Sequence, residues 1–298
     1  MDQEIHNKQV SKQKLEYRRG IIRYYSEAGM DYEPWSRGFN MHFGYFRPGL
    51  NPFDRESLLN EMSRQVVERL KLDHSEDTEI VDLGCGVGAS ARYAVDNYPQ
   101  VRVTGATIVP WQIDQAERLS ANHPQKQRLS FELMDYCDIP VPDNHFDGAY
   151  AMESSCYDAG KAKRGFLTEA FRVLKPGARL VVADGFTKGS THPRFFNYLY
   201  RKVCQGWALE DFAGIDEFIA AMEDIGYEDI KVQEASWNVA VSVSYVPWVS
   251  LKYFFKTVFL RSNREIQMGH FIGPFFGLVM GLHRRHYGYH IISARKPA

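Results

Sequence analysis

The chain has 298 residues, and its 36 Lys and Arg residues balance 37 Asp and Glu residues to a formal net charge of −1. That balance gives no cationic footprint of the kind that nucleic-acid binding requires, so we expect no nucleic-acid partner. Its four cysteines are widely spaced, its N-terminus is polar, and no run of about 18 apolar residues occurs. We therefore expect a cytoplasmic protein without structural zinc, disulfides or a membrane span.

The predicted elements fall into three segments. Residues 1–75 are expected to form a helical cap with an aromatic loop, residues 76–190 an α/β core, and residues 191–298 the remaining strands of its sheet. In the first segment, an amphipathic stretch over residues 14–28 predicts one helix. Asp54 opens a second helix that runs through Leu70 with its apolar residues on one face.

From Thr78 onwards the hydrophobic pattern alternates between strands and helices. The predicted strands are TEIVDLG, VRVTGATIV, RLSFELMD, FDGAYAME, ARLVVADGF, DIKVQEA and GYHIISARKP. Helical stretches of about 10–15 residues follow the first, second and fourth of these strands, and such alternation is typical of parallel strands joined by crossover helices. The predicted fold class is α/β, a Rossmann-like doubly wound sheet of seven strands with helical and aromatic caps.

An insertion of about fifty residues, approximately 236–287, separates the last two predicted strands, where a hairpin turn would suffice. A helical pattern from Pro247 places Trp248 and Phe255 on one face, and four glycines then recur at intervals of four: Gly269, Gly273, Gly277 and Gly281. Glycines at this spacing allow another helix or a ligand to approach closely. The pattern fits a cap over a lipophilic pocket, a helix packed on the core, or contact with a membrane surface, since His283–His286 are basic.

A glycine-rich motif lies where the first strand meets the next helix. Asp82, Gly84, Gly86 and Gly88 form D-x-G-x-G-x-G, and glycine allows a backbone to approach a ligand closely. Such a loop occurs in dinucleotide sites and in ordinary turns as well, so alone it is weak evidence.

The segments that follow the motif make it more informative. Asp135 ends the third strand, Phe146-Asp147-Gly148 opens the fourth, and LKPG stands at residues 174–177. As a set, residues 78–186 resemble the class I methyltransferases that use S-adenosyl-L-methionine (SAM), particularly the sterol and isoprenoid C-methyltransferase and sugar O-methyltransferase branch.

This resemblance implies a set of cofactor contacts. Gly84, Gly86 and Gly88 would contact the amino acid part of SAM, and Asp82 and Cys85 would also bind the cofactor. Asp135 would bind the adenine amine with Tyr136 beside it, and Tyr24 would also reach the cofactor. The usual ribose-binding acid is absent after Gly105, so Thr107 and Gln112 become the candidates for the ribose; alternatively, both only cap the next helix.

The candidate methyl-transfer residues follow the fourth strand. Residues 153–157 (ESSCY) resemble the E-[AS]-x-C-H stretch of sterol C-methyltransferases, with Tyr157 in place of histidine. Asp184 matches an acid that supports the base in the sugar branch, but the two histidines of that branch are missing. We therefore favour Glu153 as the acid that assists methylation of carbon; alternatively, it is structural and holds the N-terminal segment.

The N-terminal aromatic loop adds Tyr25, His42 and Tyr45 to Tyr24 as site candidates, because the resemblance implies that it closes over the sulfonium. The resulting hypothesis is a SAM-dependent methyltransferase that acts on a lipophilic small molecule and needs no metal. An O- or N-methyltransferase of a natural product or sugar, and a non-catalytic SAM- or lipid-binding protein, are the alternatives. The sequence leaves open a peripheral membrane contact through the C-terminal cap and a homo-oligomer.

Overall fold

A mixed sheet with helices on both faces organises the chain. The computed structural model describes residues 2–33, 35–73, 77–189, 191–249, 251 and 264–298. The strands are β1 (Thr78–Leu83), β2 (Val101–Thr107), β3 (Leu129–Leu133), β4 (Phe146–Met152), β5 (Leu174–Thr187), β6 (Ala213–Gly214), β7 (Glu228–Glu234) and β8 (Tyr287–Arg295). The helices are α1 (Asp2–Ala28), α2 (Arg55–Arg69), α3 (Ala89–Asn97), α4 (Pro110–Ser120), α5 (Arg164–Val173), α6 (Arg194–Gly206), α7 (Ile215–Ile225), α8 (Ser236–Val243) and α9 (Arg264–Gly281).

The strand order is β3-β2-β1-β4-β5-β8-β7, and the first five strands in this order are parallel. β8 runs antiparallel to both of its neighbours. The predicted Rossmann-like α/β fold is therefore confirmed, with all seven predicted strands in one sheet. The structure adds β6, a strand of two residues that no sequence pattern predicted, beside the end of β5.

Both faces of the sheet are buried, which explains why the central strands read as nearly continuous apolar runs. One core includes Met62 and Val66 of α2 with Tyr150 of β4. The other includes Phe166 of α5, Phe186 of β5 and Phe218 of α7. Two helices begin as their sequences predict: Asp54 accepts a hydrogen bond from the Ser57 backbone N–H at the start of α2, and Pro110 is the first residue of α4.

The insertion before β8 contains α8 and α9. Gly273 and Gly277 let α9 approach α6, because a Cβ at either position would lie within 3 Å of the Trp207 ring. The predicted use of these glycines for close helix packing therefore holds at two positions. The Trp248 side chain is exposed, contrary to a role in lining a pocket, and Phe255 lies outside the described residues. None of the described helices is long and apolar enough to cross a membrane.

Candidate active site at the carboxyl ends of the strands

Two adjoining cavities open at the carboxyl edge of the parallel strands, where ligands bind in open α/β sheets. The first, of about 120 Å³, lies over the ends of β1, β2 and β4 beneath α1. The second, of about 190 Å³, lies between the N-terminal aromatic loop, the end of β5 and the start of β8. Five residues line both cavities: Tyr25, Met41, His42, Glu153 and Tyr157. These five residues mark where a molecule in one cavity would meet a molecule in the other.

The glycine loop forms the floor of the first cavity. Gly84 and Gly86 have positive φ angles of 92° and 53°, a conformation that glycine adopts without steric cost. A Cβ on Gly86 would point towards Met41 across the cavity wall, 3.2 Å from its Sδ atom. Cys85 also lines this cavity.

Gly88, the last glycine of the motif, lies apart from the other two. It does not line the cavity, and its φ angle of 76° belongs to the residue that precedes α3. A Cβ there would collide with the Phe131 ring. Gly88 therefore serves the packing of α3 against the sheet, and its contact with the cofactor stays a prediction.

Asp82 lies at the end of β1 and is almost fully buried in the wall of the first cavity. Burial raises its pKa to about 7, although the Tyr150 hydroxyl donates a hydrogen bond of 2.9 Å to its Oδ2 atom. Ionising this carboxyl is costly while it has no cationic partner. A cationic group bound beside it would lower its pKa by charge attraction, so the site is suited to binding such a group.

Thr107 and Gln112 meet at the end of β2. The Thr107 hydroxyl donates to Gln112 Oε1 at 2.5 Å and accepts a hydrogen bond from the Val109 backbone N–H at 3.2 Å. Both side chains are buried and both line the first cavity. The pair thus orders the turn into α4 and also borders the cavity, so the two alternatives from the sequence are compatible; ribose binding stays a prediction.

Asp135 and Tyr136 follow β3 at the far side of the same cavity. The Asp135 carboxylate accepts the Cys137 backbone N–H at 2.9 Å and forms an ion pair with Arg18 of α1. Tyr136 donates to the Ser154 carbonyl oxygen at 2.9 Å. The acid predicted to bind adenine therefore already has a cationic partner on the helix that covers the cavity.

Glu153 separates the two cavities and has an unusual backbone. Its φ angle of 51° is rare for a residue other than glycine and is typical of functional positions. Its Oε1 atom accepts the Phe43 backbone N–H at 2.7 Å and the Tyr289 hydroxyl at 3.0 Å. Burial raises its pKa to about 8. It holds the N-terminal segment, as the structural alternative expected, while lining both cavities.

His42 also borders both cavities, but its ring is fully engaged. Nδ1 lies 2.9 Å from the Phe43 carbonyl oxygen, and Nε2 lies 3.1 Å from Asn40 Oδ1 and 3.4 Å from Ser90 Oγ. Burial lowers its pKa. A neutral imidazole carries one N–H, so it can donate from Nδ1 to the Phe43 carbonyl oxygen and accept at Nε2 from the Ser90 hydroxyl, which makes His42 a poor candidate for a general base.

Tyr157 and Asp184 complete the wall of the second cavity. The Tyr157 hydroxyl donates to the Trp207 carbonyl oxygen at 3.0 Å and meets the Tyr25 hydroxyl at 2.9 Å. Burial raises the pKa of Tyr157 well above its usual value. Asp184 accepts hydrogen bonds from the Ser155 hydroxyl and from the backbone N–H groups of Cys156 and Gly185, and burial raises its pKa.

Two other tyrosines lie away from the places expected for them. Tyr24, expected beside the cofactor, lines the second cavity and not the first. Tyr45 lines neither: its ring is packed in the core with Met62 and Val66, and its hydroxyl accepts a hydrogen bond from Gln233 at 3.0 Å. Its position in the sequence, close to His42, suggested a site role that the packing of its ring does not support.

Sequence reasoning missed two groups of lining residues. Tyr17, Arg18 and Ile21 of α1 cover the first cavity, and Tyr287 and Tyr289 of β8 line the second. The spacing of the first group, together with Tyr25, places it on one helical face. The two tyrosines of β8 alternate with period two, so they face the same side of the sheet, but only the antiparallel pairing of β8 with β5 brings them beside Asp184.

Comparisons with known proteins agree with this geometry. Residues 80–177 match the family model described as a methyltransferase domain. The chain is 28% identical over 298 residues to the probable chloroplastic tocopherol O-methyltransferase of Oryza sativa subsp. japonica, covering 94% of this chain and 78% of that protein. It is 27% identical over 241 residues to a sterol 24-C-methyltransferase of Neurospora crassa, covering 76% and 60%.

A solved structure of geranyl diphosphate C-methyltransferase from Streptomyces coelicolor A3(2) superposes with a TM-score of 0.69 at 17% identity, covering 94% of this chain and 98% of that chain. The sheet, the glycine loop and the matched domain define a methyltransferase fold. Residues 80–177 therefore form a methyltransferase domain, and the enzyme is a methyltransferase that uses SAM as its cofactor, as its motifs predicted.

The first cavity fits this cofactor chemically. It combines a glycine floor with the buried Asp82 carboxyl, the Thr107 and Gln112 pair, and Asp135, which suit an amino acid, a ribose and an adenine amine respectively. The individual contacts with these groups stay predictions. Among the described residues, no group of three or more His, Cys, Asp or Glu side chains is arranged to hold a metal ion.

Proposed function

We propose that this enzyme transfers the methyl group of SAM to a carbon atom of a lipophilic small molecule of the isoprenoid, sterol-like or related type. The observation that carries this proposal is the composition of the second cavity, which adjoins the cofactor cavity through Glu153. Aromatic rings provide much of its wall: Tyr24, Tyr25, Tyr32, Trp35, Phe43, Tyr157, Trp207, Phe212, Tyr287 and Tyr289.

The charge of this cavity supports an acceptor without an anionic group. Glu153 and Asp184 are its acidic residues, and no Lys or Arg is among its described lining residues. A diphosphate or carboxylate would therefore lose its hydration without gaining a cationic partner, which is costly in a buried site. A neutral apolar acceptor is favoured over geranyl diphosphate itself.

The groups that can stabilise positive charge and accept a proton favour carbon as the acceptor atom. SAM supplies an activated methyl group, so the protein must align the acceptor, exclude water and accept the proton that the acceptor loses. A carbon nucleophile develops positive charge, which aromatic faces and a carboxylate stabilise. In the described part of the chain, Glu153 Oε2 has no hydrogen-bond donor, whereas both oxygens of Asp184 have one. Glu153 is thus the acid best placed to act on the acceptor.

Methylation of oxygen is the second candidate, because the rice relative carries the name of an O-methyltransferase. In that case the same Glu153 oxygen would take the proton of an acceptor hydroxyl as the methyl group is transferred. His42 is less suited to that task because both of its ring nitrogens already have partners.

A transfer assay with isotopically labelled methyl on SAM distinguishes these outcomes. The acceptors are sterols, prenylated hydroquinones, geranyl diphosphate and polar sugars, and the products are located by mass spectrometry and NMR. We expect a new C–CH3 signal on a neutral lipophilic acceptor, lost in Glu153→Gln and retained in Tyr45→Phe, which changes a tyrosine outside both cavities. Label only on sugars, or on geranyl diphosphate in preference to neutral acceptors, would contradict the proposal.

Three other sequence-based expectations remain predictions: a cytoplasmic location, a homo-oligomeric state, and membrane contact through the cap at 236–287. The rice relative is described as chloroplastic, so location must be determined directly by fractionation or imaging of the tagged chain.

A further inference from the structure

Helices α6 and α9 pack against each other, and the two helices and the turn that follows α9 expose large apolar side chains. Four of these side chains are more than half exposed: Phe195 (57%), Tyr198 (51%), Phe275 (60%) and Leu282 (76%). We call these four residues the α6–α9 face. Ring contacts connect the three aromatic members across the two helices: the ring centroid of Phe276 lies 5.9 Å from that of Tyr198 and 5.5 Å from that of Phe275, and the His283 ring lies 5.6 Å from Phe195.

Basic residues accompany this face. Residues 194–206 and 273–288 contain Arg194, Arg201, Lys202, Arg284 and Arg285 but no Asp or Glu. Arg284 pairs with Glu234 of β7, whereas the other four form no ion pair with a carboxylate in the part of the chain that the structure describes. The Lys202 Nζ lies 5.9 Å from the centre of the Tyr198 ring. Exposed aromatic and aliphatic side chains bordered by unpaired cations are typical of contacts with lipid surfaces.

The same two helices also reach the acceptor cavity. Trp207, directly after α6, and Pro274 of α9 both line it, and Gly273 and Gly277 of α9 pack on the Trp207 ring. A surface docked at the α6–α9 face would therefore lie next to the wall of that cavity.

We propose that the α6–α9 face docks on the surface of a bilayer that contains anionic lipids. A second copy of this chain fits the face less well, because a twofold contact would bring its unpaired cations together. An anionic membrane surface satisfies both the apolar side chains and the cations. Docking would also present the cavity to an acceptor dissolved in the bilayer. This second statement rests on the proposed function, whereas the docking itself does not.

The test is flotation of the full chain with vesicles, in the absence of SAM and acceptor. The vesicles contain either phosphatidylcholine alone or an equal mixture of phosphatidylcholine and phosphatidylglycerol. We expect binding to the mixed vesicles that weakens as salt is added, because charge attraction is screened, and little binding to phosphatidylcholine alone.

Variants locate the contact. Phe275→Ser and Leu282→Ser should each weaken vesicle binding by about tenfold, and Lys202→Glu by at least about fivefold. Leu133→Ser, which changes an exposed leucine on the opposite edge strand β3, should leave binding unchanged. Circular dichroism and the affinity for SAM show that each variant is folded.

Equal binding by the Leu282→Ser and Leu133→Ser variants would overturn the proposal, as would equal binding to both kinds of vesicle. A concentration-dependent dimer that these face variants abolish would instead identify a self-association surface. Because neither SAM nor an acceptor is present, failure of the proposed methyl transfer leaves the flotation result interpretable, and the reverse also holds.

Discussion

Replacing Glu153 by glutamine should change turnover and stability in opposite directions. Glutamine has the same shape, and its side-chain oxygen can still accept the hydrogen bonds from the Phe43 N–H and the Tyr289 hydroxyl. It cannot take up a proton from an acceptor or stabilise a developing cation by its charge. We therefore expect turnover to fall by about a hundredfold or more, with little change in SAM affinity.

The stability effect follows from the pKa of Glu153, which burial raises from 4.5 to about 8. A carboxyl with a higher pKa in the folded chain holds its proton more tightly when folded, so the free energy of unfolding decreases as the pH rises from 4.5 to about 8. The decrease is at most roughly 5 kcal/mol, because each pH unit between the two pKa values is worth about 1.4 kcal/mol. Glutamine carries no such penalty, so the variant should match the wild type near pH 4 and exceed it in stability above pH 8.

Denaturant unfolding of the cofactor-free chain at low and high pH measures this difference. Glu61→Gln is the matched control, because the Glu61 side chain is also buried. Burial alone would raise the Glu61 pKa, but hydrogen bonds from Arg64 and Gln65 outweigh it and hold the pKa below its usual value. The control should therefore lose stability above the pKa of an unfolded glutamate. If Glu153→Gln also loses stability at high pH, and turnover falls only as far as folding does, Glu153 is a structural carboxylate and the argument for its role fails.

Three other substitutions test the two cavities separately. Gly86→Val should abolish SAM binding in a calorimetric titration, because a branched side chain is strained at a φ of 53° and fills space beside Met41; unchanged affinity would remove the glycine loop from the cofactor site. Asp135→Asn should raise the SAM dissociation constant by about tenfold or more, because it replaces a charged hydrogen-bond acceptor by a neutral one, and turnover at saturating SAM should be retained. An unaltered dissociation constant would leave Asp135 solely as the partner of Arg18. Gly277→Leu should destabilise the chain by about 1–3 kcal/mol and raise the acceptor Michaelis constant, because its Cβ would lie 2.8 Å from Trp207. Equal losses of SAM affinity and acceptor affinity would show that this substitution does not affect the second cavity alone.

The sequence predicted those parts of the fold that depend on neighbouring residues. Strand runs such as TEIVDLG and the glycine motif after it are local patterns, because period, turn chemistry and the absence of a Cβ can all be read within a few residues. The strand-end positions Asp82, Thr107, Asp135 and Glu153 follow from them, because the ends of parallel strands meet at one edge.

The residues that lie away from their expected positions have surroundings that are set by distant parts of the chain. Gly88 has the same motif spacing as Gly86, but Phe131 of β3 occupies the space beside it. Tyr45 is close in sequence to His42, yet its hydroxyl is bound by Gln233 of β7. Tyr289 was missed because its contact with Glu153 joins residues 136 positions apart. No local pattern contains these contacts.

The position of Glu153 gives one reason why the N-terminal segment belongs to the active site. Its Oε1 atom is held by a backbone N–H of that segment and by a tyrosine of the last strand, so the carboxyl is correctly placed only when both ends of the chain are folded onto the sheet. The second oxygen then stays available to the acceptor. Because ionisation of this buried group is costly at neutral pH, the positive charge of SAM in the adjoining cavity should favour its carboxylate form. Cofactor binding would thereby prepare the group that receives the acceptor's proton, and the measurable consequence is a release of protons when SAM binds near pH 7 that is smaller in Glu153→Gln, where Asp82 alone still contributes.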